Sequence, residues 1–118
     1  MFEADNIRDW RGHAVIDQNG DKIGTLEAVY VDTASDLPVF ATVQVGMLGR
    51  HRLAFAPLDG ATVGPGYLRI PVLKKLVKNA PSIDSDGELL ATEEPAIFEH
   101  YGLPYHAGAG GERRLARR

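Results

Sequence analysis

The chain has 118 residues, no cysteine and a formal net charge of −3, with 44% hydrophobic and 25% charged residues. This length suits one ordinary domain with a modest core, and the composition is typical of a globular protein. Without cysteine, the chain has no disulfides, thiolate nucleophiles or thiolate-bound metal centres. The longest apolar run falls far short of the roughly 20 residues that span a bilayer, so we predict no membrane insertion.

Charge is distributed unevenly along the chain. Residues 1–106 hold 15 acidic and 9 basic residues, whereas residues 107–118 hold one acidic residue and four arginines. An acidic body repels phosphate backbones, so nucleic acid is expected to contact only the basic end. The amino terminus carries Glu3 and Asp5 where a secretory signal carries basic residues, and we therefore expect a cytoplasmic protein.

The first structural signal is a β-hairpin around Asn19-Gly20, which lies between two apolar-rich runs. Both residues tolerate the positive φ of a two-residue type I′ turn. The strand that follows is predicted to be long and bent, with a bulge at Gly24, and to pair with different neighbours at its two ends. If the alternation of side chains between the two faces of this strand shifts once, four apolar residues lie on one face: Ile23, Leu26, Ala28 and Tyr30.

Further short strands follow before residue 73. Residues 38–46 alternate with a period of two, and their valine face is predicted to lie in the core. Residues 51–57 are expected to pair with them as an antiparallel hairpin, and residues 61–63 and 67–71 are predicted as two shorter strands. Trp10, the only tryptophan, is predicted to close one end of the core, with a stacking platform for a ligand as the alternative.

The period then changes to that of helices. A short amphipathic helix is predicted over 72–78, and a second one begins after Thr92 and ends at Gly102. Residues 107–118 lack apolar periodicity and are predicted to form a flexible basic tail on a domain of residues 1–106. The large apolar residues that the helices are expected to pack on the barrel are Val72, Leu76, Val77, Ile97, Phe98 and Tyr101.

Many short antiparallel strands with a bent second strand, followed by an apolar helix, favour a small β-barrel over a sandwich. A string of residues near the start of the chain comprises Gly12, Val15, Asp17, Gly20, Lys22, Ile23, Gly24, Tyr30 and Asp32. Two further motifs come later in the chain, Ala54-Phe55-Ala56-Pro57-Leu58 and Ile70-Pro71-Val72. Over roughly residues 7–105, this ordered set resembles the PRC-barrel family in its stand-alone bacterial form.

The resemblance implies a mainly β fold, namely a small antiparallel β-barrel with two short C-terminal helices. It also implies a non-catalytic module for protein–protein interaction or assembly. Members of this family include the H subunit of the photosynthetic reaction centre and a ribosome maturation factor. This chain lacks the membrane helix of the former and the second RNA-facing domain of the latter, so neither role is carried over.

No arrangement of polar residues predicts catalysis, a metal or a cofactor. The four histidines, His13, His51, His100 and His106, form no pair at helical spacing. The acidic clusters at 17–21 and 84–88 lack the ligand positions of an EF-hand loop, and no serine lies in a nucleophile elbow. A binding function is therefore predicted, with a hydrolase-like enzyme as a distant alternative.

Two surfaces are candidates for partners. A homodimer is predicted, because several apolar residues are hard to place inside one small barrel. In the alternative, Phe98 and Tyr101 close the monomer's own core. The candidate self-association residues are Met47, Leu48, Phe98, Tyr101, Leu103 and Tyr105.

The basic tail is the second candidate, as a ligand for an acidic surface. Its residues are Arg113, Arg114, Arg117 and Arg118. Phosphates of nucleic acid or lipid headgroups are the ligands considered. The alternatives are a solvated tail, or one that docks on the acidic body of a second copy. The sequence thus predicts a self-associating interaction module with an unknown protein partner, or alternatively an RNA- or ribosome-associated accessory protein.

Overall fold

The fold is built around one long strand, as the opening hairpin predicts. The computed structural model describes residues 10–47, 50–84, 87–105 and 113–117. The strands are β1 (Ala14–Ile16), β2 (Lys22–Asp32), β3 (Pro38–Met47), β4 (Arg50–Pro57), β5 (Thr62–Gly64), β6 (Tyr67–Arg69), β7 (Ser82–Asp84) and β8 (Leu115–Arg117). The helices are α1 (Lys74–Lys78) and α2 (Glu94–His100), and a 3-10 helix (Ala91–Glu93) precedes α2.

These strands form one sheet in the order β5-β6-β1-β2-β3-β4-β7, and β8 pairs with β2. All pairs are antiparallel except β1 with β6, which are parallel. β3 follows one edge of β2, while β1 and β8 pair with opposite ends of its other edge. The expectations of a mainly β, barrel-like fold with two short helices, and of a second strand with different neighbours at its ends, are therefore confirmed.

Two bulges bend β2. The first lies at Ile23, beside the predicted Gly24, because Val15 pairs with Gly24 and Ile16 pairs with Lys22. The second lies at Glu27 and was not predicted. It turns Tyr30 away from the face of Ile23 and Leu26, so the prediction that these residues share one face is wrong.

Gly24 is required by a close approach of two strands. A Cβ atom at this position would lie 2.1 Å from the main-chain oxygen of Gln44 on β3. We expect Gly24→Ala to lower the free energy of unfolding by about 1–3 kcal/mol, because the backbone of β3 has to move. Urea unfolding followed by circular dichroism measures this change. An unaltered midpoint would show that the two strands separate without cost.

The opening hairpin is present, but its turn differs from the predicted type I′ turn. The main-chain N–H of Gly20 donates to Asp17, and the N–H of Asp17 donates to the carbonyl of Asp21. Within this turn, Gly20 is the residue with a positive φ, of 91°. This is the pattern of a three-residue loop that ends in a left-handed glycine. The Asp17 carboxylate fixes it by accepting the N–H groups of Asn19 and Asp21.

The sheet has a core on each face. The first cluster includes Val77, and Trp10 and Val72 pack against it, in agreement with the predicted place of Trp10. In the second cluster, Ile97 of α2 and Leu115 of β8 pack with the aromatic residues of β2, β3 and β4. The second cluster consists of Tyr30, Phe40, Phe55, Leu89, Ile97 and Leu115.

The C-terminal segment differs from the expected flexible tail. Leu115–Arg117 forms β8, and its register pairs Tyr30 with Arg117 and Asp32 with Leu115. Leu115 is fully buried in the second cluster, which explains why this segment is held. Residues 106–112 and Arg118 lie outside the described part of the chain.

None of the helices in the described part of the chain combines the length and apolar character needed to cross a membrane.

Candidate functional site

The clearest candidate site is a groove beside α1, with a volume of about 530 Å³. We call it the α1 groove. Two leucines at its centre are unusually exposed, Leu73 by 45% and Leu76 by 38%. The lining residues are Gln18, Pro71, Val72, Leu73, Lys75, Leu76 and Asn79.

The exposed leucines follow from the shortness of α1. The helix has five residues and buries one of them, Val77, in the first cluster. The expectation that Leu76 also packs on the barrel is therefore wrong. Water-exposed apolar surface of this kind, gathered in a concave place, is typical of a binding site.

Hydrogen bonds hold the wall of the groove in place. The main-chain N–H of Lys74 donates to Oδ2 of Asp17 at 3.0 Å, which ties the start of α1 to the opening hairpin. The N–H of Gln18 donates to the carbonyl of Val72, and Arg69 Nη1 donates to the carbonyl of Gln18. The groove is therefore shaped before any ligand arrives.

Asp17 is buried, and this loop depends on its charge. The N–H of Lys74 is the main cause that holds the pKa of the Asp17 carboxyl below its ordinary value of 3.8, and the N–H groups of Asp21, Asn19 and Gly20 add to it. A lowered pKa means that the carboxylate stabilises the fold at neutral pH, and that this contribution is lost as the pH falls below about 4.

We therefore expect Asp17→Asn to be less stable than the original chain at pH 7, with a difference that shrinks as the pH falls from about 4 towards 2. Urea midpoints measured for both proteins across this range check the prediction. Asp59→Asn is the matched control, because Asp59 is exposed. A difference that is constant with pH would contradict the role of the charge.

The chain around α1 is rich in basic residues, although the carboxylate of Asp17 lies at the start of the helix. Residues 60–83 contain four basic residues and no acidic one, although the whole chain has 13 basic and 16 acidic residues. Lys75 and Lys78 are exposed, and Lys75 lines the groove. The basic residues are Arg69, Lys74, Lys75 and Lys78. An apolar strip with a basic rim suits a ligand that is apolar and acidic.

A second groove, of about 560 Å³, borders the first, because Gly60 in its lining lies beside Pro71 of the α1 groove. It is lined by the loop before β3 and the turn after β4, including Leu37, Leu58 and Leu103, together with Asp32 and Asp59. Its charged lining residues are thus acidic. Leu37 is 55% exposed, which makes this groove a useful control surface.

The predicted self-association residues are largely engaged within the chain. Phe98, Tyr101 and Leu103 pack against the second cluster, with Phe98 edge-to-face on Phe40. The Tyr101 hydroxyl donates to the carbonyl of Phe55, and burial raises the pKa of this phenol. The structure thus shows the arrangement considered as the alternative, with Phe98 and Tyr101 closing the chain's own core.

Three residues of the predicted set remain, Met47, Leu48 and Tyr105. Leu48 lies outside the described residues, and Met47 is described only as the last residue of β3, paired with Arg50. Tyr105, the last of the set, donates its hydroxyl to Oε1 of Glu94 and packs edge-to-face on Phe98. Burial, followed by this hydrogen bond, raises the pKa of the Tyr105 phenol.

The arginines of the predicted acidic-surface-binding tail contact the chain's own body. Arg114 forms an ion pair with Asp32 at 3.1 Å, and Arg117 pairs with Glu27. Arg113 Nη2 donates to the carbonyl of Leu89 at 3.0 Å. The acidic body noted in the sequence therefore receives this segment within one chain.

Glu94 is the residue whose role the sequence did not reveal. The structure buries it completely. Its two carboxylate oxygens accept the main-chain N–H groups of Arg114 and Leu115 and the hydroxyl of Tyr105. Glu94 thus holds the C-terminal segment at the start of β8. Only a contact across the fold could have shown this.

Of the four histidines, His106 lies outside the described residues. In the parts of the chain that the structure describes, no three His, Asp or Glu side chains are grouped to hold a metal ion. His13 packs edge-to-face on Trp10, and Nε2 of His100 lies 2.8 Å from the carbonyl oxygen of Leu76. His100 therefore supports the far end of the α1 groove.

Most of the chain matches a known protein family. The family model described as the PRC-barrel domain matches residues 2–77, more than half of the chain. The chain belongs to the PRC-barrel family. The match covers the strands β1 to β6 and almost all of α1, and it stops short of α2 and β8. No curated protein matches the chain. Membership in the PRC-barrel family suggests, in general, a module for protein interaction or assembly.

Proposed function

We propose that this PRC-barrel protein is a non-catalytic, self-associating interaction module of the cytoplasm that binds a protein segment in the α1 groove. The observation that carries the proposal is the pair of exposed leucines, Leu73 and Leu76, in a preformed groove with a basic rim. The family membership supports a role in interaction or assembly.

The packing of the barrel supports binding over catalysis. The first cluster consists of apolar residues such as Leu26, Val43 and Leu68 in the described part of the chain. Enzyme sites usually combine a pocket with convergent titratable groups. The α1 groove has one titratable side chain in its lining, Lys75, and its other lining groups are apolar or neutral.

The alternative function, in which the basic tail binds RNA, receives less support. Three of the four arginines of that segment already contact carboxylates or a carbonyl of the same chain. Binding to phosphate would have to break these contacts. We therefore place the main interaction surface at α1.

Site-specific photo-cross-linking in the native host tests the function. A benzophenone amino acid at position 75 is expected to give a discrete adduct with a protein, because Lys75 is exposed and lines the groove. The same residue at position 59 is the matched control, since Asp59 is exposed in the second groove. Equal adducts from both positions, or none from position 75, would refute binding in the α1 groove.

A further inference from the structure

A short acidic segment on another part of the surface has the opposite character to the α1 groove. Leu90 is 51% exposed, and Glu88 and Glu93, on either side of it, are also exposed. Residues 88–93 hold two acidic residues and no basic one. We call residues 88–93 the Leu90 segment. It presents one large apolar side chain between two negative charges.

The Leu90 segment is held rigidly. Leu89 is buried in the second cluster, so the backbone is anchored beneath Leu90. The carboxylate of Glu93 accepts the main-chain N–H of Leu90 at 3.1 Å. Arg113 adds a hydrogen bond to the carbonyl of Leu89. Little conformational entropy would be lost when such a segment binds, and preorganisation of this kind favours affinity.

The groove and the segment differ in the sign of their charge. The groove has a mainly apolar lining with Lys75 in it and Lys78 exposed nearby, whereas the segment carries an exposed leucine between glutamates. No residue of the segment lines the groove of its own chain. His100, the last residue of α2, contacts the carbonyl of Leu76 in the groove. The Leu90 segment precedes the first residue of the same helix, Glu94. The segment is therefore free to meet the groove of another copy.

We propose that the α1 groove receives the Leu90 segment of a second copy of this chain. Leu90 packs between Leu73 and Leu76, and Glu88 and Glu93 lie close to the lysines of α1. The contact joins two different surfaces, so each copy carries one groove and one segment. This inference rests on the proposed function and names its partner.

An anionic membrane is the competing ligand for a basic surface with exposed leucines. The lining includes the polar side chains of Gln18 and Asn79, which favours a protein segment over the apolar interior of a bilayer. Co-sedimentation with vesicles of phosphatidylcholine and phosphatidylserine is expected to leave the protein in the supernatant. Binding to these vesicles that is lost in Leu76→Ser would overturn the inference.

Sedimentation equilibrium of the full chain at tens of micromolar tests the contact. In low salt, we expect a mass above the 12.8 kDa of one chain, and a lower mass in high salt because charge pairs are screened. Leu76→Ser and Lys75→Glu in the groove, and Leu90→Ser and Glu93→Lys in the segment, are each expected to weaken association at least tenfold. A monomeric original chain in low salt would overturn the inference.

Two matched controls separate the specific contact from general effects of charge and apolar surface. Lys22→Glu makes the same charge change at another exposed lysine, and Leu37→Ser removes another exposed leucine. Both variants are expected to associate like the original chain. Equal weakening by the controls would overturn the inference.

Mixing complementary variants gives the sharpest result. A chain with Lys75→Glu and Leu76→Ser lacks the groove but keeps the segment, and a chain with Leu90→Ser and Glu93→Lys lacks the segment but keeps the groove. Each is expected to be monomeric alone, and an equimolar mixture is expected to form one-to-one pairs. A mixture that stays monomeric would overturn the inference.

The outcomes also distinguish the inference from the proposed function. If the original chain is monomeric but position 75 cross-links to a different protein, the groove binds a partner and only its identity as a second copy is wrong. If position 75 gives no adduct and the mixture forms no pairs, both the inference and the proposed function are wrong.

Discussion

Leu115→Ala is expected to lower the free energy of unfolding by about 2–4 kcal/mol, as is usual when a fully buried leucine is truncated. Leu115 has no exposed surface and lies in the second cluster with Tyr30, Phe40 and Ile97. Its loss removes the single large apolar contact of β8. Urea unfolding, followed by circular dichroism, measures the change.

The effect has an upper limit, because β8 lies close to the end of the chain. Once the mutated segment detaches from the sheet, shortening it further does not lower the free energy of unfolding. Deletion of residues 113–118 therefore gives the maximum loss of stability. Arg117→Ala is the matched control on the same strand. The side chain of Arg117 is 52% exposed and its ion pair is expected to contribute no more than about 1 kcal/mol. Equal losses from both substitutions would contradict the anchoring role of Leu115.

The parts of the fold that repeat a local pattern could be predicted from the sequence. Alternation over 38–46 gave β3 and its core face, and Gly102 ends α2 with a positive φ of 68°. The two bulges of β2 differ in this respect. A glycine marks the first, whereas the second lies at Glu27, a residue type with no special preference for a bulge.

The C-terminal strand could not be predicted for a related reason. Leu115 is a single leucine among arginines and glycines. One apolar residue cannot show the repeated spacing that indicates a strand or a helix. The position of Leu115 is decided by Glu94, 21 residues earlier in the chain. Charge counting did indicate that a basic end and an acidic body attract each other, but it did not show that the contact lies within one chain.

A short helix near α1 was predicted from the sequence, but the groove beside it was not. Helical spacing correctly gave α1, and it suggested that Leu76 packs on the barrel with Val77. In the structure, the barrel is already filled by its own strands, and the outer face of the sheet is covered by α2 and β8. Neither core has room for Leu73 or Leu76. The exposed large apolar residues of the described chain are therefore not Phe98, Tyr101 or Tyr105. They are Leu37, Val63, Leu73, Leu76 and Leu90.

Glu94→Ala is expected to lower the free energy of unfolding by about 2–5 kcal/mol, because the substitution leaves the buried N–H groups of Arg114 and Leu115 without acceptors. Those bonds measure 2.9 Å and 3.0 Å, and the bond from Leu115 is buried. Tyr105 also loses the acceptor of its hydroxyl. The segment that Leu115 anchors by packing is thus also held by hydrogen bonds from Glu94.

Three comparisons make this prediction specific. Glu94→Gln is expected to cost less than half as much, because the amide oxygen still accepts main-chain N–H groups. Glu99→Gln, at an exposed position of the same helix, is expected to change stability by less than about 0.5 kcal/mol. The double variant with Leu115→Ala is expected to lose less than the sum of the two single losses, since both residues hold the same segment. Additive losses would show instead that Glu94 stabilises α2 independently of β8.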